Sequence, residues 1–322
     1  MPNYSSAPEL TGSYLDTVWE TLPRFLRPTF LLPAPALSAR LGCDLTIASE
    51  TFQHTGSFKF RAAYNLLASI PQVRVVAASS GNFGQAVAYA SQLLGKSSTI
   101  VMPATSARVK IAAVQGYGGI ADLIDTRQIS RAERVRQLLA EQEGAFEAHA
   151  YDDYRVVAGN STLGREILAA GEFDTLVVPI GGGGISAGQI VARDHLNVRL
   201  EIVGAEPQPG NDAARSLRAD HLVSNEQEPQ TVADGARTLS LGKLNWEILR
   251  QGIADIVEVP DAVTLAALRA YFALNLKVEP TGALALGAVL AQPERFAGKR
   301  VCCIVSGGNV DPLIYGKALQ EE

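Results

Sequence analysis

The feature that most constrains the fold is a regular alternation between short apolar runs and longer amphipathic segments. The apolar runs are rich in β-branched residues and are predicted to be strands over 73–77, 98–102, 175–179, 200–205, 256–259 and 300–305. Helices are predicted between them, over 84–94, 130–141, 186–193, 262–276 and 281–291. Strands that are apolar on both faces and separated by helices belong to parallel sheets covered on both sides. The sequence therefore predicts an α/β fold, and 322 residues suffice for about two domains.

Composition and charge exclude several classes of protein. The formal net charge is −5 and no basic patch is visible, so we expect no nucleic-acid partner. The most apolar stretch, 283–291, is about half the ~20 residues that span a bilayer, so we expect no membrane partner. Few cysteines, no Cys-x-x-Cys motif and no visible signal peptide together predict a cytoplasmic protein.

The strongest local motif is a run of four glycines, 181–184, between a predicted strand and a predicted helix. Glycines allow backbone N–H groups to converge, and the helix N-terminus adds partial positive charge. The motif therefore predicts a phosphate-binding site, with a purely structural turn as the alternative. It is neither a Walker A loop nor a dinucleotide fingerprint, because the Lys-Ser/Thr pair and the later acidic residue are missing.

Two further polar turns follow predicted strands. Ser79-Ser-Gly-Asn82 gathers hydroxyls, an amide and backbone N–H groups, which suit a substrate carboxylate, although a plain helix cap is the alternative. The segment Val305-Ser-Gly-Gly-Asn-Val310 places the Ser306 hydroxyl at the carboxyl end of the last strand, where α/β sheets bind ligands.

Lys59 differs from the other lysines because it lies between Phe58 and Phe60, after a Thr-Gly-Ser turn and at a predicted helix start. Apolar neighbours and a helix N-terminus both disfavour the ammonium ion, so we expect a low pKa for Lys59. A neutral amine is what a Schiff base requires, and a solvated side chain is the alternative. Taken together, the four motifs fit pyridoxal phosphate with an amino acid as substrate.

The motifs resemble those of the serine/threonine dehydratase and serine racemase family, which are pyridoxal phosphate enzymes of the tryptophan-synthase-β-like (type II) fold. In family order, the matching segments are Gln53-His-Thr-Gly-Ser-Phe-Lys59, Ser79-Ser-Gly-Asn82, the four glycines, Thr231-Val-Ala-Asp-Gly-Ala236, Glu279-Pro-Thr281 and Ser306-Gly-Gly-Asn309. The resemblance implies two open, twisted, mostly parallel sheets with helices on both faces. It also implies a large domain of 1–73 and 152–322, a small mobile domain of 74–151, and a homodimer.

The resemblance assigns roles to individual residues. Lys59 would bind the cofactor covalently and act as the base on the substrate Cα, with Ser80 as acid/base on the opposite face. The cofactor would be bound by Phe58, Lys59, Asn82, Gly181, Gly182, Gly183, Gly184, Ile185 and Ser306. The substrate would be bound by Ser79, Ser80, Asn82, Phe83 and Arg131. A divalent cation (Mg²⁺, Mn²⁺ or Ca²⁺) would be held by Glu206, the Gly210 carbonyl and Asp212.

Some residues depart from the family pattern near the expected substrate. Phe83 replaces the usual histidine, Ala62 replaces a glycine, and Tyr151 stands where asparagine or phenylalanine is usual. The expected reaction is elimination of the β-hydroxyl of L-serine, L-threonine or 3-hydroxyaspartate, which yields a 2-oxo acid and ammonia. The alternatives are an amino-acid racemase and a non-catalytic protein that binds a phosphate ligand.

Overall fold

The computed structural model describes residues 7–79 and 81–320, which form two sheets and the helices that cover them. The strands in chain order are β1 (Phe30–Pro33), β2 (Asp44–Ser49), β3 (Arg74–Ala78), β4 (Ser97–Pro103), β5 (Ile120–Ile124), β6 (Phe146–Glu147), β7 (Thr175–Pro179), β8 (Glu201–Pro207), β9 (Asp255–Val259) and β10 (Arg300–Val305).

The α-helices follow or precede these strands along the whole chain. In order they are α1 (Gly12–Thr21), α2 (Pro35–Leu41), α3 (Lys59–Ala68), α4 (Asn82–Leu93), α5 (Arg108–Gly116), α6 (Arg131–Glu141), α7 (Tyr154–Ala170), α8 (Gly184–Leu196), α9 (Asp212–Ala219), α10 (Lys243–Gly252), α11 (Asp261–Ala273), α12 (Pro280–Ala291), α13 (Pro293–Phe296) and α14 (Pro312–Gln320). Short 3-10 turns lie at Leu22–Phe25, His54–Gly56, Gln208–Gly210 and Asp234–Ala236.

The six-stranded sheet has the order β1-β2-β10-β7-β8-β9. Its strand pairs are parallel except for β1, which runs antiparallel to β2 at one edge. Residue 305 pairs with residue 49, and residue 179 pairs with residue 205, so the strands end at one edge of the sheet. The polar segments that follow these strands are thereby brought to the same edge.

The four-stranded sheet has the order β5-β4-β3-β6 and is parallel throughout. All of its strands come from residues 74–147, a single stretch of chain inserted between parts of the larger sheet. The turn that contains Ser79 follows β3, so it lies at the carboxyl edge of this second sheet.

The core of the larger sheet is divided between its two faces. Along β7, Leu176 and Val178 belong to the cluster that includes α3, α7 and α8, whereas Val177 belongs to the cluster that includes α11 and α12. Successive residues of a strand point to opposite faces, which explains why β7 is buried along its whole length. Among the helices of 7–79 and 81–320, none has the length and hydropathy needed to cross a bilayer.

The six predicted strands and five predicted helices are present, with shifts of a few residues at their ends, and the α/β prediction is confirmed. Strands β1, β2, β5 and β6 were not predicted from the sequence. Strand β2 begins with Asp44, β5 contains Asp122 on a partly exposed edge, and β6 has only two residues. The proline-rich arm over 27–35 is extended as predicted, and it contains the edge strand β1.

Candidate active site

Lys59 is the first residue of α3, and the chain reaches it through a constrained turn. Thr55 has a φ of 59° and Gly56 a φ of 72°, a region that a β-branched residue rarely adopts. The backbone N–H of Phe58 donates to the carbonyl of Ser306 at 3.0 Å. The end of β10 therefore lies beside the start of α3, which brings Lys59 and Ser306 into one site.

The Lys59 amine lies in a largely apolar environment. Its Nζ donates to the carbonyl oxygen of Ala150 at 3.0 Å and lies 5.1 and 5.7 Å from the ring centroids of Phe58 and Phe83. Burial lowers the pKa of Lys59 to about 8, and the nearby carboxyl group of Glu279 opposes this effect. At pH 7 about a tenth of this amine is therefore uncharged, far more than for a lysine of ordinary pKa.

The four glycines connect β7 to the N-terminus of α8. Gly183 has a φ of 87°, a conformation that favours glycine, and no side chain caps the helix. The first N–H groups of an α-helix have no partner within the helix, and here they include that of Ile185. These N–H groups and the positive end of the helix dipole suit a phosphate group.

The Tyr151 side chain packs directly on the glycine run. A Cβ atom on Gly182 would lie 2.3 Å from Cγ of Tyr151, so any larger residue at 182 would collide with the ring. The Nδ2 group of Asn245 donates to the carbonyls of both Tyr151 and Gly182, at 3.0 and 2.7 Å. Because Ala150, the preceding residue, accepts the hydrogen bond of Lys59, this segment joins the lysine to the glycines.

Two buried hydroxyl groups beside Lys59 have no hydrogen-bond partner. They are Oγ of Ser57 and Oγ of Ser306, whose residues are 0% and 2% exposed. An unpaired buried hydroxyl is costly, and such groups commonly mark a place that a ligand completes. The low-pKa amine, the uncapped helix N-terminus and the free Ser306 hydroxyl fit the aldehyde, phosphate and ring nitrogen of pyridoxal phosphate.

The turn after β3 is organised by Ser79. Its Oγ accepts hydrogen bonds from the backbone N–H groups of Gly81 at 3.3 Å and Gly84 at 3.0 Å. The helix-cap alternative thus describes this hydroxyl, which still has its own hydrogen to donate. Ser80 lies outside the described residues, so its predicted role stays a prediction.

Asn82 and Phe83 begin α4 and face the larger sheet. Nδ2 of Asn82 donates to Oε1 of Glu279 at 2.7 Å. Phe83 is 2% exposed and lies over the Lys59 amine, where it excludes water from one side. Phe83 therefore lies beside the lysine and Asn82 beside Glu279, and their roles in binding the cofactor and substrate stay predictions.

Arg131, the remaining predicted substrate residue, forms an ion pair on the protein surface. It begins α6, is partly exposed, and has its Nη2 3.6 Å from a carboxylate oxygen of Glu228. Burial raises the pKa of the Tyr151 phenol, whereas the charge of Arg131 lowers it. Arg131 is therefore close enough to Tyr151 for its charge to act on the phenol.

The predicted cation loop contains two buried carboxyl groups. The two oxygens of Glu206 accept hydrogen bonds from the N–H groups of Ala213 and Ala214, each at 2.9 Å, and Oδ2 of Asp212 is buried without a partner. Burial raises the pKa of Asp212 to about 7, and burial together with the Asp212 charge raises that of Glu206 well above its ordinary value. Within 7–79 and 81–320, no cluster of three or more His, Cys, Asp or Glu side chains forms a metal centre. Carboxyl oxygens suit a hard cation, and cation binding by Glu206, Gly210 and Asp212 stays a prediction.

Glu279 and Asn309 lie in two of the sequence motifs, but no role was predicted for either residue. Glu279 is 3% exposed, and Asn309 donates to Oδ1 of Asn82 at 2.9 Å. The sequence contained a signal for Glu279. This glutamate directly precedes the apolar helix α12, and a charged residue beside such a buried segment is unusual.

Comparisons with known proteins agree with this geometry. The family model described as pyridoxal-phosphate dependent enzyme matches residues 22–307, so the chain belongs to that family. It is 38% identical over 317 residues to L-threo-3-hydroxyaspartate ammonia-lyase of Pseudomonas sp, covering 96% of this chain and 99% of the relative. It is 34% identical to serine racemase of Schizosaccharomyces pombe, with coverage of 94% and 95%.

Solved structures agree as well. A crystal structure of threonine deaminase from T.th. superposes with a TM-score of 0.88 at 36% identity, covering 93% of this chain and 98% of that chain. The predicted type II fold and the predicted pyridoxal phosphate cofactor are confirmed by these similarities together with the two sheets.

Proposed function

We propose that the protein is a pyridoxal phosphate-dependent ammonia-lyase that removes the β-hydroxyl group of a hydroxy amino acid. The observation that carries the proposal is the Lys59 amine, which lies between two aromatic rings and has a pKa lowered to about 8. Such an amine can capture an aldehyde and can accept a proton near neutral pH. The products are a 2-oxo acid and ammonia.

We assign cofactor binding and proton transfer to residues already described. The N–H groups of 182–185 would hold the phosphate, Ser306 would contact the ring nitrogen, and Asn82 would contact the ring oxygen. Bound pyridoxal phosphate supplies a carbonyl that captures amines and a ring that withdraws electrons from the substrate Cα. Lys59 would take the proton from Cα, while Phe58 and Phe83 exclude water from it.

The substrate class we propose is the 3-hydroxyaspartates, which carry a second carboxylate. Two features support this choice: similarity to a 3-hydroxyaspartate ammonia-lyase over nearly the whole chain, and Arg131, whose charge acts on the Tyr151 phenol. The ion pair of Arg131 with Glu228, at 3.6 Å, is loose enough for a substrate carboxylate to replace.

A substrate panel tests the proposal. The holoenzyme would be incubated with L-threo-3-hydroxyaspartate, L-serine and L-threonine, and ammonia, 2-oxo acid and amino-acid enantiomers would be measured. We expect ammonia and an equal amount of 2-oxo acid, with the highest kcat/KM for the dicarboxylic substrate. Arg131→Met should lose this preference, whereas Arg136→Met, on the same helix and more exposed, should keep it. A protein that releases no ammonia from any of the three would refute the lyase assignment.

An amino-acid racemase is the second candidate, supported by the 34% identity to a serine racemase. Chiral chromatography of the same reactions separates the two activities. Formation of the other enantiomer without 2-oxo acid would replace the lyase assignment by a racemase.

We propose that the loop of Glu206, Gly210 and Asp212 binds Mg²⁺, Mn²⁺ or Ca²⁺. The unpartnered Oδ2 of Asp212 and the electrostatic repulsion between the two carboxyl groups support this proposal. Each cation should raise the melting temperature of the wild type, and the increase should disappear in Asp212→Ala. An identical increase in both proteins would remove the proposal.

We also propose that the protein is a cytoplasmic homodimer in which the segment 74–151 moves as a small domain. Phe30 and Phe52 are 44% and 53% exposed and contact each other edge-to-face beside the edge strand β1, which makes this surface the candidate interface. Light scattering should give twice the chain mass, and Phe52→Asp should shift the measured mass toward that of a monomer.

The proposed cytoplasmic location is supported by the cysteines. The described cysteines are unpaired, in keeping with a reducing compartment.

A further inference from the structure

Glu279 is a buried residue that lies next to the chain segment following strand β10, where Ser306 and Gly307 are found. Its backbone N–H donates to the carbonyl of Gly307 at 3.1 Å. A Cβ atom on Gly307 would lie 2.9 Å from Oε1 of Glu279, so the glycine leaves room for the carboxyl group. The absence of a side chain at Gly307, just after β10, therefore leaves space for the Glu279 carboxyl group.

The carboxyl group of Glu279 holds one end of the Asn82 amide. Nδ2 of Asn82 donates to Oε1 of Glu279 at 2.7 Å, while Oδ1 of Asn82 accepts from Nδ2 of Asn309 at 2.9 Å. The two ends of the amide have partners of opposite hydrogen-bonding character, so only one orientation satisfies both.

Asn309 is itself anchored to the turn that leads to the lysine. Its Nδ2 donates to the carbonyl of Thr55 at 2.6 Å as well as to Asn82. Thr55 is the residue with positive φ that precedes the start of α3. The orientation of the Asn82 amide is thereby tied to the same turn that places Lys59.

The Asn82 amide nitrogen has two hydrogens, and Glu279 uses one of them. We propose that Glu279 is a positioning residue for the cofactor, which holds the Asn82 amide so that its second N–H binds the ring oxygen of pyridoxal phosphate. The inference rests on the proposed function, because it requires that the enzyme bind this cofactor. Glu279 acts here through Asn82 and is distinct from the residues that contact the reacting atoms.

Cofactor titration of the cofactor-free protein tests the inference. Affinity for pyridoxal phosphate and the absorption band of the bound cofactor would be measured for wild type, Glu279→Ala and Glu279→Gln. Glu279→Ala should weaken binding by about tenfold and shift the band, since a freed amide can rotate. Glu279→Gln should stay within about threefold of wild type, because its carbonyl oxygen can still accept from Asn82.

A double-mutant cycle distinguishes action through Asn82 from a general effect on folding. Asn82→Ala combined with Glu279→Ala should bind the cofactor as weakly as Asn82→Ala alone. The matched control is Glu201→Ala, an exposed carboxylate at the opposite end of the sheet, which should bind like wild type. If Glu279→Ala does not fold, Asn309→Ala releases the same amide from its other side and should show the same non-additivity.

Additive effects in the cycle, or wild-type affinity and spectrum in Glu279→Ala, would overturn the inference. A wild-type protein that binds no pyridoxal phosphate would instead overturn the proposed function, so the two failures are distinguishable.

Discussion

Lys59 and Arg61 are two residues apart on α3, yet their surroundings differ completely. Arg61 is 0% exposed and surrounded by acceptors: its Nε donates to Glu50 at 2.7 Å and its Nη1 to Glu166 at 2.8 Å. Further bonds run from the same guanidinium to Thr162 and Thr29. Both carboxylates hold the pKa of Arg61 above its usual range despite burial. This cluster is complete without any ligand.

Around Lys59, by contrast, some buried polar groups lack a hydrogen-bond partner. The amine donates one hydrogen bond, to the backbone carbonyl of Ala150, and the hydroxyls of Ser57 and Ser306 close by have no partner. Both clusters contain buried polar groups, so burial of polar groups alone does not identify a site. At this site the unpaired hydroxyls lie beside a lysine amine with a lowered pKa and an uncapped helix N-terminus, and this combination is what indicates a ligand site.

The largest expected difference between the two clusters is in catalysis. Lys59→Ala should reduce kcat/KM by at least about 10³-fold, because it removes both the amine that captures the cofactor and the base. The free energy of unfolding of the cofactor-free protein should not fall, since a poorly solvated amine is removed. Turnover and urea denaturation check the two halves of this expectation, with the exposed Lys317→Ala as control. Normal turnover in Lys59→Ala would assign the chemistry to another residue.

For Arg61 we expect the substitution to affect mainly the free energy of unfolding. Arg61→Ala leaves the buried carboxylate of Glu50 without its partner and should lower the free energy of unfolding by about 3–5 kcal/mol. Arg61→Lys keeps the charge but loses the forked geometry, so it should recover only part of this loss. Urea denaturation measures both variants, and wild-type stability in Arg61→Ala would show that the cluster contributes nothing to folding.

The contrast also shows what the sequence could and could not predict. The glycine run, the lysine between aromatics and Ser306 were recognisable because each lies next to a predicted strand or helix end, where local patterns carry the information. The partners of Arg61 were not recognisable, since Glu166 is 105 residues away and only the packing of α3 on α7 brings the two together. The contact between Asn82 and Glu279 spans 197 residues and has the same origin.

Titration of Glu279 offers a smaller test. Burial raises the pKa of Glu279 from 4.5 to about 8, so the folded protein holds a proton there that the unfolded chain releases between these values. The contribution of this group to stability therefore falls as pH rises from about 5 to 8, by about 2–4 kcal/mol. Glu279→Gln cannot titrate, so its stability relative to the cofactor-free wild type should increase over this range. The lowered pKa of Lys59 changes stability mainly above pH 8, outside the window. Parallel pH profiles for the two proteins would contradict the expected titration.

The smallest effect is expected from two buried serine hydroxyl groups, one without a hydrogen-bond partner and one with two. Ser306→Ala should leave the cofactor-free protein as stable as wild type, because its Oγ has no hydrogen bond to lose, but should weaken pyridoxal phosphate binding by about tenfold. Ser161 is equally buried, but its Oγ donates to the carbonyl of Ala158 and accepts from Nε1 of Trp19. Ser161→Ala should therefore cost about 1–3 kcal/mol of stability and leave cofactor affinity unchanged. Thermal unfolding with and without cofactor measures both quantities, and equal behaviour of the two variants would show that unpaired hydroxyls do not mark this site.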